Sequence, residues 1–313
     1  MKRIWLLIKR TFAEAYEDNV PRLAASLAFY SMFSIAPILV IVIAIASAFF
    51  GADATSREVG RQLQSLMGKS AADAVEALVR GASVSGQGTL ATLISIVLLA
   101  YGSLSVFAEL QDSLNTIWEV KLRPDISWWQ TIRRRLLSFA MVLAICFLLL
   151  VSLVISAAIA AVSHWLAPAE GRLWQAGNVL ASLVLFALLF AAIYKVLPDV
   201  KITWGDVAVG AIVTAILFVL GKFLIGLYLA RPAVTSTYGA AGSLAILLIW
   251  VYYSSHILFL GAEFTQVYAK RFGKKLEPAA LAVRITEEER AQEGIPHERR
   301  VQEKAEEQGK WRK

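Results

Sequence analysis

Charged residues are absent from long stretches of this chain. Six runs of 22 to 34 residues contain no Asp, Glu, Lys or Arg, apart from Lys222 in the fifth run. An α-helix needs about 20 apolar residues to cross the hydrocarbon core of a bilayer, and charge-free helices of this length are rare in soluble domains. The pattern therefore predicts an all-α integral membrane protein with six transmembrane helices, at approximately 24–50, 89–109, 136–163, 176–197, 206–229 and 240–268.

The segment before the first run has its own helical pattern. We expect residues 1–22 to form an amphipathic helix that lies in the cytoplasmic interface of the membrane. Its apolar positions recur at helical spacing, at Ile4, Ile8, Phe12 and Tyr16. The alternative roles are membrane sensing and a simple anchor that sets the tilt of the first transmembrane helix.

Residues 23–270 make up the predicted membrane domain. Within it, residues 53–80 are expected to form an external hairpin of two short amphipathic helices, interrupted at Gly68. This hairpin could pack onto its own bundle, cap an external cavity or contact a partner. Residues 271–313 are expected to be a charged cytoplasmic tail, helical in part or disordered, that contributes nothing to the fold.

The distribution of Lys and Arg predicts the orientation. Between the predicted helices, segments rich in Lys and Arg alternate with poor ones, and the N-terminal segment and the tail are both rich. The first loop fits this pattern least well, with four Lys and Arg over about thirty residues, but longer external loops tolerate charge better. By the positive-inside rule both termini are then cytoplasmic. The net charge of +7 is explained by this topology and by attraction to anionic lipid headgroups. It gives no reason to expect a nucleic-acid partner.

The composition, 58% hydrophobic and 18% charged, also excludes an ordinary soluble enzyme.

Small residues and one proline stand out inside the predicted helices. Small side chains allow close helix packing in lipid, and the candidates for this role are Ala24, Ala28, Gly239, Gly242 and Ser243. Pro37 lies in the middle of the first transmembrane helix and is a candidate helix break. A break would expose backbone to a substrate or ion; the alternative is a kink repaired by neighbours such as Ser34.

Ionisable residues inside lipid are costly and often functional. Lys222 could snorkel toward the surface or face the bundle and bind an anion. Tyr252, His256 and Glu263 recur on one helix face, where they could relay a proton, hold a cation or tie helices together. Polar candidates at the cytoplasmic end of the second transmembrane helix are Glu109, Asp112 and Asn115.

Several segments resemble one bacterial family. They are 24–37 (AASLAFYSMFSIAP), 110–118 (LQDSLNTIW), 197–200 (LPDV), 238–244 (YGAAGSL), 249–253 (IWVYY) and 261–265 (GAEFT), together with Gly210. In this order they are similar to the YihY/virulence factor BrkB family, from about residue 5 to residue 272. The resemblance implies a six-helix protein of the bacterial cytoplasmic (inner) membrane. Family members often carry Gln where His256 stands, which favours Glu263 as the functional position.

The pattern favours a transporter or exporter of a lipid, an envelope component or a small solute. The alternative is a non-transporting scaffold for envelope assembly, with an envelope protein as partner. The family has also carried the label ribonuclease BN, but the three histidines, His164, His256 and His297, are far apart in the sequence. RNA cleavage commonly needs clustered metal ligands or a histidine pair. We expect no enzyme activity, no cofactor and no metal site, and the sequence predicts neither the substrate nor the oligomeric state.

Overall fold

The computed structural model describes residues 2–83, 104–129, 172–229, 242–273 and 276–292, together with the single positions 132, 133, 136 and 140. Most of the predicted spans 89–109 and 136–163 lies outside these residues. The count of six transmembrane helices therefore stays a prediction.

Helices make up most of the described chain. They are α1 (Lys2–Glu17), α2 (Val20–Phe50), α3 (Ala52–Met67), α4 (Lys69–Ser83), α5 (104–117), α6 (Arg172–Val196), α7 (Trp204–Leu229), α8 (Gly242–Phe272) and α9 (Glu287–Gln292). Short strands lie between them and are β1 (Val120–Leu122), β2 (Val200–Lys201), β3 (Glu277–Pro278) and β4 (Ala282–Arg284).

Residues that tolerate left-handed backbone separate the first four helices. Asn19 has a φ of 54° between α1 and α2, and Pro21 stands in the first turn of α2. Gly51 and Gly68 have φ values of 83° and 81° at the ends of α2 and α3. Such angles cost a glycine little. The structure thus has two helices on either side of Gly68, where the sequence analysis places the interruption of the hairpin, and the position of the hairpin outside the cell stays a prediction.

Three helices in the described part of the chain are long and apolar enough to cross a membrane. Their apolar stretches are Val179–Val196 in α6, Trp204–Ile225 in α7 and Leu244–Phe272 in α8. These match the predicted spans 176–197, 206–229 and 240–268. Large apolar side chains such as Leu188 and Phe223 remain exposed on them, as expected of surfaces that face lipid.

Helices α7 and α8 approach closely through two reciprocal contacts. A Cβ added to Gly210 of α7 would lie 1.8 Å from Thr265 Oγ1 of α8, and one added to Gly261 of α8 would lie 2.0 Å from Thr214 Oγ1 of α7. The missing side chain of each glycine therefore leaves space for a threonine of the other helix. The Tyr194 hydroxyl of α6 joins this contact, since it donates to the Leu258 carbonyl oxygen at 2.7 Å.

The hairpin α3–α4 packs onto the bundle. Ala71 and Val75 of α4 are fully buried. They lie in apolar clusters with Ile246 and Leu247 of α8 and with Ile225 of α7. Of the three roles considered for the hairpin, packing on its own bundle is therefore observed.

Helix α1 has two apolar faces. Leu7 and Ala15 are buried on the side that packs against α8. The row predicted for the membrane interface remains exposed at Ile8, Phe12 and Tyr16. An exposed apolar row on a helix docked to the bundle fits a helix lying along the membrane surface.

The helix break considered at Pro37 is not observed. Helix α2 is continuous from Val20 to Phe50. The Ser34 hydroxyl donates to the Tyr30 carbonyl oxygen at 2.8 Å, which is not the Phe33 carbonyl oxygen that Pro37 leaves without its backbone donor. A proline removes one backbone hydrogen bond, and a membrane helix can continue past it when neighbouring groups compensate.

The expectation that the tail takes no part in the fold is wrong for residues 277–292. Strand β4 pairs antiparallel with β1, with Val120 opposite Arg284, and β3 pairs with β2, with Val200 opposite Pro278. Arg290 of α9 is fully buried. Strands this short have no readable periodicity, and a charged composition does not reveal a buried ion pair.

We predict that Gly261→Ala will destabilise the protein by about 1–3 kcal/mol, because the added methyl group must displace Thr214 in a packed interface. Thermal unfolding in detergent measures this. The matched control is Gly177→Ala in α6, where an added Cβ meets nothing within 4 Å. Equal melting temperatures for the two variants would contradict the close approach of α7 and α8.

Candidate functional site

One face of α8 carries polar side chains near the C-terminal end of the helix. Glu263, Gln266 and Lys270 follow at intervals of three and four residues, so they share that face. The Gln266 amide donates to the Ile117 carbonyl oxygen at the end of α5. The Lys270 ammonium lies 3.0 Å from Glu119 Oε1. These contacts join α8 to the end of α5.

A buried ion pair joins α9 to the turn between α1 and α2. Arg290 of α9 donates to Asp18 Oδ1 in the turn between α1 and α2. Arg290 is 0% exposed and Asp18 is 1% exposed. Burying two charges is tolerated only when they are paired, so this contact ties α9 to the α1–α2 turn.

The first turn of α9 is stabilised by two reciprocal hydrogen bonds between Thr286 and Glu289. The Thr286 amide donates to Glu289 Oε2 at 3.1 Å, and the Glu289 amide donates to Thr286 Oγ1 at 3.3 Å, which is a capping box. Glu289 also lies 2.6 Å from the Lys121 ammonium of β1. This ion pair, together with the Thr286 amide, lowers the pKa of the Glu289 carboxyl.

Glu263 is the one acidic residue of α8. It is 0% exposed, and neither of its oxygens accepts a hydrogen bond from an N–H or hydroxyl donor among the described residues. The Asp18 carboxyl lies within hydrogen-bonding reach of it. The groups that act on it electrostatically are the carboxyls of Asp18 and Glu14 and the Lys270 ammonium. We name Asp18, Glu263 and Arg290 the buried charge cluster. It places one carboxylate without a bound donor beside another that is bound to an arginine.

A second buried polar contact joins α5 to the turn after α6. Asn115 donates to Asp199 Oδ2 at 2.8 Å, and the Asp199 amide donates back to Asn115 Oδ1 at 2.8 Å. Gln111, one turn earlier, donates to the Leu197 carbonyl oxygen at 3.0 Å. Both the nitrogen and the oxygen of the Asn115 side-chain amide are therefore hydrogen-bonded to Asp199. This indicates that Asn115 positions the turn after α6.

Lys222 and Glu263 are not brought together. Lys222 is half-buried in α7, and its neighbour Gly221 contacts Tyr253 of α8. Tyr253 is ten positions from Glu263, which corresponds to roughly 15 Å along the helix. Lys222 has no ion pair with any residue that the structure describes.

The other predicted candidates occupy different surroundings. The Tyr252 and His256 rings lie 5.9 Å apart, and His256 Nδ1 is buried with no hydrogen-bond partner within the described ranges. Glu109 is half-buried and Asp112 is exposed on α5. Of the packing candidates, Ala24, Ala28 and Gly242 are buried, whereas Gly239 and the side chain of Ser243 lie outside the described residues.

Sequence reasoning missed the ion pair beside Glu263. Asp18 and Arg290 are 272 residues apart, and each reads as a surface charge in its local sequence. A weak signal existed for Asp199, because it and Asn115 both fall in segments that carry the family resemblance. Across the described ranges, no group of three or more His, Cys, Asp or Glu is placed to hold a metal ion.

Comparison with known proteins decides the family. The sequence pattern of the family described as "Virulence factor BrkB" matches residues 11–286, which is most of the chain. The chain belongs to this family. The BrkB resemblance noted in the sequence is thereby confirmed, and the matched region includes Asp18 and Glu263 but ends before Arg290.

Relatives of this BrkB family member are named as membrane proteins. The UPF0761 membrane protein of Tolumonas auensis is 29% identical over 84% of this chain and 87% of its own length. That of Mannheimia succiniciproducens is 30% identical over 85% and 91%. That of Ralstonia nicotianae is 29% identical over 79% of this chain, which spans only 55% of that relative. No solved structure matches the chain significantly.

We predict that breaking the Asp18–Arg290 ion pair will lower the stability of this BrkB protein. Asp18→Ala leaves the Arg290 charge buried without its anion, so we expect a loss of about 3–5 kcal/mol in the free energy of unfolding. Denaturant or thermal unfolding in detergent measures the loss. The double variant Asp18→Ala/Arg290→Met should recover part of it, because the buried charge is then gone.

Asp125→Ala is the control for that measurement. Asp125 is exposed, so its truncation should change stability by less than about 0.5 kcal/mol. If Asp18→Ala behaved like Asp125→Ala, the buried ion pair would not hold the two ends of the chain together.

Proposed function

We propose that this BrkB family member is a multi-pass protein of the bacterial cytoplasmic membrane with both termini in the cytoplasm. We further propose that it transports a lipid, another envelope component or a small solute, without acting as an enzyme. The membrane part is supported by relatives named membrane proteins and by the apolar stretches of α6, α7 and α8.

The proposed orientation is supported by the contacts along α8. The hairpin α3–α4 lies in clusters with Ile246 and Leu247, whereas α5 and the N-terminal turn meet the helix at Glu263 and Gln266. Leu247 and Gln266 are separated by roughly 29 Å along the axis at 1.5 Å per residue. This is close to the bilayer core of about 30 Å, so the hairpin and the terminal segments would lie at opposite membrane surfaces.

The transport proposal rests mainly on the burial of the Glu263 carboxyl without a hydrogen-bond donor. Its carboxyl is completely buried on an apolar helix and has no hydrogen-bond donor among the described residues. An ionisable side chain in such a position is costly and is characteristic of ion pathways and proton relays. If residue 263 served only to pack α8 against its neighbours, an apolar side chain would do so without the cost of burying a carboxyl group.

The chemistry of the cluster favours a proton as the coupling ion. Glu263 lies beside Asp18, and two carboxyl groups can hydrogen-bond only if one of them carries a proton. Asp18 is itself bound to Arg290. Binding and release of a proton at Glu263 would change the charge beside that ion pair and thereby bias the position of the terminal segments.

A non-transporting scaffold is the alternative. It is supported by the way the cluster joins α8 to the α1–α2 turn, and the turn to α9. In that role Glu263 would stabilise the fold, and its loss would lower stability without any transport activity to affect.

Glu263→Gln tests the proposal in proteoliposomes. The vesicles contain phosphatidylethanolamine and phosphatidylglycerol, an internal pH dye and headgroup-labelled lipids. We expect the wild-type protein to move protons or labelled lipid faster than empty vesicles, and Glu263→Gln to reduce this movement at least tenfold, because glutamine cannot exchange a proton.

Glu277→Gln, at an exposed position of β3, is the matched control and should retain wild-type movement. Unfolding temperatures of the variants separate the two roles. Failure of the wild-type protein to move any probe, together with a large loss of stability in Glu263→Gln, would favour the scaffold.

A further inference from the structure

A pocket of about 540 Å³ lies between α2 and the hairpin α3–α4. Its apolar wall includes Leu39 and Ile43, which belong to α2 and to the first predicted transmembrane run. Its charged lining residues are Arg57, Arg61 and Arg80, together with one carboxylate, Glu76, which lies 4.0 Å from the Arg80 guanidinium. This volume is in the range of ligand-binding pockets, and its lining combines a lipid-like wall with cationic groups.

The arginines of α3 are not fully neutralised by the protein. Arg57 and Arg61 are four residues apart on one helix face, where like charges repel. Arg61 is bound by Glu58 through two hydrogen bonds of 2.8 and 3.1 Å, and this pairing lowers the pKa of the Glu58 carboxyl. Arg57 is exposed and has no ion pair with any described residue. A positive charge thus remains at the edge of the pocket.

The position of the pocket also matters. Leu39 and Ile43 lie roughly 10 to 17 Å along α2 before that helix ends at Phe50, at 1.5 Å per residue, and the hairpin that begins at Ala52 folds back against them. The hairpin contacts the end of α8 that is opposite to the buried charge cluster. The pocket therefore lies in the half of the membrane-spanning region nearer to the hairpin, where the hydrocarbon core approaches the lipid headgroups.

We infer that this pocket binds the phosphate headgroup of an anionic membrane phospholipid, with the start of an acyl chain against Leu39 and Ile43. Arginine suits this role because its planar fork donates two hydrogen bonds to a phosphate. The inferred binding is independent of the proposed transport, since a scaffold could hold a lipid at the same place.

Binding to the full-length protein in detergent tests the inference, with native mass spectrometry and thermal unfolding as readouts. Three ligands are compared: phosphatidylglycerol, phosphatidylcholine and glycerol 3-phosphate. We expect phosphatidylglycerol to bind and to raise the melting temperature. The zwitterionic lipid lacks the net negative charge, and glycerol 3-phosphate lacks the acyl chains, so each should bind at least tenfold more weakly.

Variants then locate the site. Arg57→Gln should weaken phosphatidylglycerol binding about tenfold, as expected for the loss of one charge-assisted contact, and Arg57→Glu should weaken it further. Arg57→Lys should keep part of the affinity, because lysine retains the positive charge but cannot donate the paired hydrogen bonds of arginine. Arg123→Gln is the matched control, because Arg123 is exposed after β1 and lies outside the pocket.

Each contrary result overturns the inference. Absence of phosphatidylglycerol binding would exclude a lipid site. Equal weakening by Arg57→Gln and Arg123→Gln would indicate only general attraction to a basic protein. Equal affinity for glycerol 3-phosphate would indicate a site for a soluble phosphate compound. Because Arg57 is exposed, its variants should keep the wild-type melting temperature without lipid, which separates loss of binding from loss of folding.

Discussion

Helices in a membrane cannot be held together by hiding apolar surface, because lipid solvates leucine as well as a neighbouring helix does. Close backbone contact and internal hydrogen bonds must supply the attraction. In this protein the reciprocal contacts of Gly210 with Thr265 and of Gly261 with Thr214 bring α7 and α8 together. The Tyr194 hydroxyl, bonded to the Leu258 carbonyl oxygen, adds α6 to the same contact. The rest of the fold is built on this three-helix arrangement.

Hydrogen bonds from polar side chains also hold the segments together at the end of the bundle. Gln266, Lys270 and Asn115 each bond a segment outside their own helix. The Asp18–Arg290 pair closes the arrangement by joining the segments that precede α2 and follow α8. Glu263 differs from these residues, because its oxygens have no donor among the described residues. This difference is the reason that the proposed proton site is assigned to Glu263 and not to the bonded residues.

Features that depend on local pattern were predictable. Helices α6, α7 and α8 follow from charge-free runs, and the hairpin follows from apolar spacing with a break at Gly68, because one helix face or one left-handed glycine is encoded by neighbouring residues. The unusual position of Glu263 was visible for the same reason, because a carboxylate within an apolar run can be recognised from neighbouring residues alone. The break at Pro37 was not observed, because tertiary surroundings decide whether a helix continues past a proline.

The sequence alone therefore determined the membrane class, the apolar helices, the family and the position of one unusual carboxylate. Tertiary structure decided what surrounds that carboxylate: Asp18 from the α1–α2 turn, with Arg290 behind it from a tail that reads as a solvated charged segment. It also decided that Lys222 is remote from Glu263 and that Arg57 borders an apolar pocket. The physical reason is that the energy of a buried charge depends on partners far away in the chain, whereas periodicity reports only the environment of adjacent turns.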